Sequence, residues 1–231
     1  MTETAPKCIK RVGKIICTDC DGHIIKYGKS KCGKQRYQCK GCRKVFIEDY
    51  TYEACNTKTN NNIIRLTKEG CGIRSIARLL KICCRTVQNR ILDYCSLLNK
   101  PVALLNQTYE VDELCTYIGN KSNRVWIAYS YCRDSREVAD FVIGSRSKAV
   151  LQPLINNILR SFPFKIYTDK HQTYTSLIPV NIHSTKCRGT NHIERKNLSL
   201  RTHLKRLSRR TICFSKSSVM LSACLKIYFW G

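Results

Sequence analysis

Two C-x-x-C motifs constrain the N-terminal part of this chain more tightly than any other feature of its sequence. The motif CTDC supplies Cys17 and Cys20, the motif CKGC supplies Cys39 and Cys42, and 18 residues separate the two. Each motif forms a tight turn that directs two sulfurs to one point, and two such turns complete the tetrahedron that Zn²⁺ prefers. A redox pair would account for one motif but not for two at this separation. The spacing predicts one structural zinc ion in a zinc ribbon at residues 8–48, with a hairpin between the motifs.

The charge balance narrows the class of partner. Lys and Arg number 41 against 16 Asp and Glu, a formal net charge of +25, and 43% of the residues are hydrophobic. The hydrophobic content supports packed cores rather than wholesale disorder. So large a positive charge suits a polyanion, most commonly nucleic acid. A basic housekeeping protein or a membrane-surface binder is the alternative that charge alone leaves open.

The sequence predicts a cytoplasmic protein with no membrane partner. No apolar stretch approaches the ~20 residues that cross a bilayer, and the N-terminus MTETAPKCIK lacks the apolar core of a signal peptide. Thiols stay reduced in the cytoplasm. The 16 cysteines therefore suit metal ligands and small buried residues rather than disulfides.

Residues 58–98 have the apolar spacing of three helices. The first is predicted to end at Gly70, the second carries Ile76 and Ala77, and a turn at 81–83 leads into the third. This arrangement predicts a helix-turn-helix, although a plain three-helix bundle has the same apolar pattern. The outward polar residues of the third helix, which suit base edges and backbone in the major groove, are Arg85, Thr86, Gln88, Asn89 and Arg90.

A third segment is predicted at residues 106–231, after a boundary near Pro101. Three β-rich runs, TYEVDELCTYIG, RVWIAYSYC and EVADFVIGS, precede a helix at 148–160. A strand KIYTD, a strand-like run at 179–183 and a long basic helix from about Thr190 follow. This is the element order of the ribonuclease H-like fold. The chain is therefore predicted to be a multidomain protein of mixed α+β and α/β class.

Acidic residues are scarce near the C-terminus, and their positions predict a metal site. The last 91 residues contain 16 Lys or Arg but only two acids, Asp169 at a strand end and Glu194 just inside a helix. Asp112 on the first strand is the third candidate; Glu110 shares its face by alternation, whereas Glu113 points the other way. Three carboxylates suit two Mg²⁺ or Mn²⁺ ions and a two-metal phosphoryl transfer. Simple ion pairing with the surrounding cations is the alternative.

Cations follow Glu194 along the same predicted helix. Arg201 lies seven residues after Glu194, two turns along one helical face, where it would hold the phosphate of a DNA terminus. Other positions that would extend a phosphate-binding track are Arg195, Lys205 and Arg206. A solvated charged face is the alternative for such a helix.

At these residues the chain resembles the transposase of the insertion-sequence-one family. The similarity is carried by YEVDELCTYIGNKSNRVWIAYSYC, FVIGSRS, IYTDKHQTY and, most specifically, NHIERKNLSLRTHLKRLSRRTICFSKS. It extends to the N-terminal ribbon and helix-turn-helix and so covers nearly the whole chain. By this resemblance, Asp112, Asp169 and Glu194 form the acidic triad of the family, and Arg201 is the basic residue behind it.

The resemblance implies an insertion-sequence DNA transposase that binds terminal inverted repeats and catalyses metal-dependent strand cleavage and strand transfer. Its partner would be double-stranded DNA, both element ends and target, on which it would act as a homo-oligomer in the bacterial nucleoid. Two other classes remain open: a non-enzymatic DNA-binding regulator, and a ribonuclease H-type nuclease or Holliday-junction resolvase. A strand-transfer assay separates all three, because only a transposase joins a 3′ end to new DNA.

Overall fold

The computed structural model describes residues 8–11, 14–17, 19–47 and 51–231. The predicted end of the first segment, residue 48, lies outside them. Within these ranges the chain forms three β-sheets and seven α-helices. No helix in the described ranges is long and apolar enough to span a bilayer.

Two small antiparallel sheets form the N-terminal segment. One is the hairpin of β1 and β2, and in the other β4 lies between β3 and β5. The β3–β4 hairpin occupies the stretch between the two C-x-x-C motifs, as predicted. So small a segment buries little apolar surface, which favours stabilisation by a metal. The strands are β1 (Cys8–Arg11), β2 (Lys14–Cys17), β3 (Ile24–Lys29), β4 (Gln35–Cys39) and β5 (Val45–Ile47).

Three helices follow in the region predicted as a helix-turn-helix. They are α1 (Thr57–Lys68), α2 (Ile73–Leu79) and α3 (Cys84–Leu97). Gly70 ends the first of them as predicted: it has a φ of 74°, in the left-handed region that favours glycine. A Cβ at this position would also lie 2.0 Å from the carbonyl oxygen of His203. Gly70 therefore permits both the helix end and a close approach of the C-terminal region.

The largest sheet has five strands in the order β10-β9-β6-β7-β8. Strands β6, β7 and β8 are antiparallel neighbours, whereas β9 runs parallel to both β6 and β10. The observed order of strands and helices follows the prediction, except that the fourth strand is shorter and the fifth begins only at His183. Two further helices are present, at Gln172–Thr175 and Ser218–Trp230. The strands are β6 (Thr108–Tyr117), β7 (Arg124–Cys132), β8 (Val138–Gly144), β9 (Lys165–Tyr167) and β10 (His183–Ser184).

Helices cover both faces of this sheet. They are α4 (Lys148–Leu159), α5 (Gln172–Thr175), α6 (Asn191–His203) and α7 (Ser218–Trp230). On one face α4 and α5 pack against β6 through a core that includes Tyr109, Val111 and Leu154. On the other face α6 and α7 pack against the sheet around Tyr129 and Leu225. β6 is therefore covered on both sides, as expected of a central strand in such a layered fold.

The C-terminal helix α7 joins the two larger regions of the molecule. Leu221 and Leu225 lie in the core under the sheet, whereas Met220, Ala223 and Ile227 belong to the core of α1, α2 and α3. α7 is thus apolar around most of its circumference because it is buried against both regions. The sequence boundary predicted near residue 101 is bridged in space by this helix.

Candidate active site, zinc site and DNA-binding surfaces

The candidate active site lies where the edge of β6 becomes free. β9 pairs with β6 only as far as Glu110 and Tyr167, so within the described residues no strand pairs with the next part of β6 on that side. Asp112 and Glu113 occupy this part of β6, and Asp169 follows the end of β9. Carboxylate oxygens of Asp112, Glu113 and Asp169 lie within 4.8 Å of one another. The structure therefore brings together two of the three predicted acids, with Glu113 as an additional member.

Asp112 is held by hydrogen bonds on both of its oxygens. Its Oδ2 accepts a hydrogen bond of 2.7 Å from Asn197 Nδ2 on α6, and its Oδ1 accepts one of 2.8 Å from the N–H of Glu113. Burial raises the pKa of Asp112 to about 6, and the carboxylates of Glu113, Asp169 and Glu194 add to this rise. Several carboxylates are therefore concentrated in one partly buried place, which is the electrostatic condition for holding divalent cations.

Glu113 forms a buried ion pair that also reaches Asp169. Its side chain is only 1% exposed, and its oxygens accept hydrogen bonds of 3.3 Å from Nε and Nη2 of Arg146. Arg146 Nη2 also lies 3.5 Å from Asp169 Oδ2. The guanidinium packs over the ring of Trp126, 4.6 Å from its centroid. Arg146 thus links two of the clustered carboxylates and is itself supported by an aromatic ring.

Glu110 has a different environment from Asp112, although the two share a face of β6 as predicted. Its fully buried carboxylate pairs with Arg133 at 2.6 Å and with His192 at 2.7 Å. It also accepts a hydrogen bond of 2.8 Å from the N–H of Ile193 in the first turn of α6. These partners occupy the carboxylate, so Glu110 fixes the start of α6 beside β6.

Glu194 lies on the same first turn of α6 but outside the tight carboxylate cluster. Its Oε1 accepts a hydrogen bond of 2.8 Å from Thr190 Oγ1, and the residue is exposed. Its charge nevertheless contributes to the raised pKa of Asp112. The structure therefore puts Glu194 within electrostatic range of the cluster, and its role as a metal ligand stays a prediction.

Arg201 donates hydrogen bonds to protein carbonyl groups. Its Nη1 donates to the carbonyl of Leu207 at 2.9 Å, and its Nη2 makes a longer contact of 3.5 Å with the carbonyl of Cys115. Burial lowers the pKa of Arg201, and the charge of Arg209 lowers it further. Arg201 and Glu113 line the same cleft, so the arginine borders the acid cluster. Its contact with a DNA phosphate stays a prediction.

The other predicted DNA-binding residues differ in how free their side chains are. On α3, Arg85 and Asn89 are exposed and Gln88 is partly exposed. The side chain of Thr86 is instead engaged at the N-terminal cap of α3: its Oγ1 contacts Cys83 Sγ at 3.0 Å, and its backbone N–H donates to the same sulfur at 3.3 Å. Arg85, Gln88 and Asn89 therefore form the available part of this surface.

Two further basic residues have intramolecular hydrogen bonds. Arg90 makes a contact of 3.5 Å with the carbonyl of Ala54, and Arg206 donates to Ser215 Oγ at 3.0 Å. Arg195 and Lys205, by contrast, are exposed. These last two are thus better placed to contact a phosphate without first breaking a contact inside the protein.

The four cysteines of the C-x-x-C motifs converge as the spacing predicts. Their sulfurs lie within 4.8 Å of one another, with Sγ–Sγ distances of 3.6 Å for Cys17–Cys42, 3.9 Å for Cys17–Cys20 and 3.4 Å for Cys20–Cys39. Zn–S bonds of 2.3 Å in a tetrahedron require sulfurs about 3.8 Å apart. The cluster therefore has the donor type and the dimensions of a structural zinc site.

Glycine is needed beside these sulfurs because of space. A Cβ on Gly22 would lie 2.8 Å from the Sγ of Cys39, and one on Gly41 would lie 3.2 Å from the Sγ of Cys20. Glycine often provides conformational freedom in so tight a turn, but the φ of Gly41 is not in the left-handed region. The contact at Gly22 leaves no room for a Cβ without movement of the Cys39 sulfur, and at Gly41 a Cβ would crowd the Cys20 sulfur.

Sequence reasoning missed three residues of the acid cluster's surroundings. Glu113 lies on the opposite face of β6 from Asp112, as predicted, but its carboxylate still joins the cluster. Arg146 and Asn197 were not singled out. Glu113, Arg146 and Asn197 lie in the segments YEVDELC, FVIGSRS and NHIERKN, which carry the family resemblance. The polar residues of those segments could therefore have been selected as further candidates. Alternation along β6 could not reveal Glu113, because the free edge lets residues of both faces reach one place.

Comparison with known proteins identifies the family. A family model described as IS1 transposase matches residues 106–229, more than half of the chain. The chain belongs to the IS1 transposase family. The match includes all of the large sheet, the helices α4, α5 and α6, and all but the last residue of α7.

Two curated relatives agree with this membership. The insertion element IS1 protein InsB of Shigella flexneri is 40% identical over 109 residues, which are 47% of this chain and 82% of that protein. The insertion element IS1 2 protein InsB of Escherichia coli K12 is also 40% identical over 109 residues, which are 65% of its length. The chain thus spans just under two thirds of this second IS1 relative.

One solved structure shows a weak overall similarity. It is the simian T-cell lymphotropic virus intasome in complex with the PP2A regulatory subunit B56 gamma, with 16% sequence identity and a TM-score of 0.36. The superposition covers 71% of this chain and 66% of that chain. A score this low does not define a common fold, and the assignment to the IS1 family rests on the sequence.

Proposed function

We propose that this protein is an insertion-sequence DNA transposase that binds terminal inverted repeats and catalyses metal-dependent strand cleavage and strand transfer. The observation that carries the proposal is the convergence of carboxylates at the free edge of β6. Oxygens of Asp112, Glu113 and Asp169 lie within 4.8 Å of one another, and the charge of Glu194 reaches Asp112. Membership of the IS1 transposase family supports the DNA-directed chemistry.

The proposal includes a ribonuclease H-like fold for residues 106–231, the catalytic region. A sheet of order β10-β9-β6-β7-β8, with three antiparallel strands followed by two parallel ones, supports this assignment. In such a sheet the first strand is central and its carboxylates are flanked by the fourth strand and the last helices. Asp112, Asp169 and Glu194 occupy those three positions.

The residues at the site fit two Mg²⁺ or Mn²⁺ ions. Carboxylate oxygens are the ligands that these hard cations prefer, and in the proposed site Asp112, Asp169 and Glu194 hold them. When bound, the ions lower the pKa of an attacking water or 3′-hydroxyl and stabilise the charge of the leaving oxygen. The buried ion pair of Glu113 with Arg146 assigns Glu113 to the support of the site.

The protein residues around the carboxylates position the reacting groups. Asn197 and the N–H of Glu113 hold the Asp112 carboxylate in one orientation. Arg146 limits the movement of Asp169, and Glu110 anchors the helix that carries Glu194. Because phosphoryl transfer depends on alignment of the attacking and leaving oxygens, these fixed side chains contribute to the rate by holding the geometry.

DNA binding is divided between two surfaces in this proposal. Arg85, Gln88 and Asn89 on α3 read base edges in the major groove of the element end. Arg195 and Lys205 contact phosphates, and Arg201 holds the phosphate of the DNA terminus beside the acid cluster. The packing of α7 into both regions fixes the distance between the two surfaces.

Zinc stabilises the N-terminal ribbon in the same proposal. One Zn²⁺ is coordinated by Cys17, Cys20, Cys39 and Cys42, whose sulfur spacing matches a tetrahedral site. The ribbon then adds a second DNA-contacting module to α3. Cleavage of two element ends and their joining to one target further implies a homo-oligomer on DNA.

A strand-transfer assay tests the proposed function. Purified protein is incubated with labelled element-end DNA and an unlabelled target duplex, with and without Mg²⁺. We expect a labelled product in which the 3′ end is joined to the target, formed only with the metal. Cleavage without joining would instead favour a ribonuclease H-type nuclease or resolvase, and sequence-specific binding without cleavage would favour a regulator.

A further inference from the structure

A cleft of about 440 Å³ lies beside the acid cluster. Its volume falls within the roughly 300–1,000 Å³ typical of small-ligand sites. β9 stops at Tyr167, and within the described residues no strand pairs with β6 on that side between Glu113 and Tyr117. Residues that line it include Glu113, Tyr117, Trp126, Arg201, Ser208 and Arg209.

One wall of the cleft is aromatic. Trp126 lies on β7 directly opposite Cys115 of β6, and both residues line the cleft. The Trp126 ring is held in place by the guanidinium of Arg146, 4.6 Å from its centroid. Tyr117 is supported by an edge contact with Phe214, with centroids 5.3 Å apart. Two rings with fixed positions thus lie at one side of the cleft.

The other wall is basic. Arg201 and Arg209 line it together with Ser208, and the hydrogen bond of Arg201 to the Leu207 carbonyl fixes its guanidinium. Aromatic surfaces combined with cations are the features of sites that bind single-stranded nucleic acid, where a base stacks on a ring and the backbone meets positive charge. A purely structural cavity would not need both.

We propose that this cleft binds one unpaired nucleotide at the end of the DNA strand, with its base against Trp126 and Tyr117 and its phosphate at Arg201 and Arg209. The inference rests on the proposed function, in which the acid cluster acts on the phosphate next to the bound nucleotide. Glu113 belongs to that cluster and also lines the cleft. A base within a duplex is already stacked on its neighbours, so the site selects a nucleotide that has left the helix. The terminal nucleotide is thereby positioned for cleavage or joining.

Trp126 provides a direct probe of this site. The chain has two tryptophans, and Trp230 lies on α7, where its ring packs against Phe141 at 5.4 Å. Trp230→Phe keeps an aromatic ring there and leaves Trp126 as the only tryptophan. The variant is titrated with a duplex that has one unpaired 3′ adenine, and with the same duplex in which that nucleotide is abasic.

The two duplexes have the same backbone charge and differ only in the base. We expect the adenine-tailed duplex to quench Trp126 fluorescence and the abasic duplex to quench it far less, while fluorescence anisotropy of labelled DNA shows that both bind. Equal quenching by the two duplexes, or none by the adenine-tailed duplex despite its binding, would overturn the proposal.

A second measurement uses the affinity difference between tailed and blunt duplexes. Trp126→Leu should weaken binding of the tailed duplex by roughly 5- to 160-fold, the range for loss of one base-stacking contact, and should leave the blunt duplex nearly unaffected. Trp126→Phe retains a ring and should keep most of the preference. Loss of affinity for both duplexes alike in Trp126→Leu would contradict the site.

These measurements separate the inference from the proposed function, because neither requires cleavage. Adenine-dependent quenching in a protein without strand-transfer activity would retain the nucleotide site and reject the transposase proposal. Strand transfer without adenine-dependent quenching would retain the transposase proposal and reject the site.

Discussion

Glu110 on β6 accepts a hydrogen bond of 2.8 Å from the backbone N–H of Ile193 on α6. A carboxylate at this position satisfies one of the free N–H groups of the helix and interacts favourably with the positive end of its dipole. Arg133 and His192 pair with the same carboxylate. The position of Glu194 relative to Asp112 therefore depends on Glu110.

Replacement of Glu110 should destabilise the catalytic region, because this buried residue supports the fold and does not contact DNA in the proposed function. Glu110→Ala removes a fully buried carboxylate and leaves the buried N–H of Ile193 without its acceptor, so we expect a loss of about 1–3 kcal/mol in the free energy of unfolding. Glu110→Gln keeps an acceptor for Ile193 and should lose less. Thermal and urea denaturation measure both, with the exposed Glu137→Gln as control. A Glu110→Ala protein as stable as this control would refute the anchoring role.

The ion pair of Glu113 with Arg146 predicts a strong energetic coupling. Arg146→Gln leaves the buried Glu113 carboxylate without its counter-charge and should cost about 3 kcal/mol. The double variant Glu113→Gln/Arg146→Gln should be more stable than Arg146→Gln alone, because no buried charge remains. Urea denaturation of the single and double variants gives the coupling energy, and Lys121→Gln serves as a surface control. Simple additivity would show that the pair is not coupled.

The cysteine cluster predicts about one zinc ion per chain. Cys17→Ser should abolish zinc binding and unfold the N-terminal ribbon, while the thermal transition of the catalytic region persists. Cys32→Ser is the matched control, because Cys32 is exposed and lies outside the cluster. Elemental analysis of the purified proteins decides the matter: unchanged zinc content in Cys17→Ser would reject the assignment.

Sequence recognition and bulk DNA affinity should respond to different substitutions. Gln88→Ala/Asn89→Ala should reduce discrimination between element-end and random DNA by roughly 1–3 kcal/mol per lost base contact. Arg195→Ala/Lys205→Ala should weaken binding to both DNAs and reduce its salt dependence. Arg206 is left intact because it bonds to Ser215. Equal losses on both DNAs for the Gln88/Asn89 variant would contradict this division.

The regular parts of the fold could be predicted where one pattern dominates. The run RVWIAYSYC corresponds to β7 (Arg124–Cys132), because strand-forming residues without a breaker define it fully. The strand-like run predicted at 179–183 is instead irregular as far as residue 182, and the two-residue β10 begins at His183. Helix α7 lacks an amphipathic pattern because it is buried by both larger regions, and so it was not predicted.

The candidate site could be predicted only in part for a related reason. Asp112 could be selected from the sequence because it lies within a clear strand pattern, and Asp169 because it closely follows another strand. The involvement of Glu113 depends on where β9 stops pairing with β6, which no periodicity in the sequence encodes. Likewise, the hydrogen bonds of Arg90 and Arg206 depend on tertiary contacts. Charge alone predicted that both side chains were available to bind DNA.

Strand transfer by single-carboxylate variants tests the central claim most directly. Asp112→Asn, Asp169→Asn and Glu194→Gln each remove one metal ligand of the proposed site, so the loss should be nearly complete rather than graded. The exposed Glu137→Gln is the control, and binding of element-end DNA is measured in parallel. We predict no detectable strand transfer by the three variants, with end binding retained. Normal strand transfer by all three would contradict the account, and normal transfer by Glu194→Gln alone would remove Glu194 from the site.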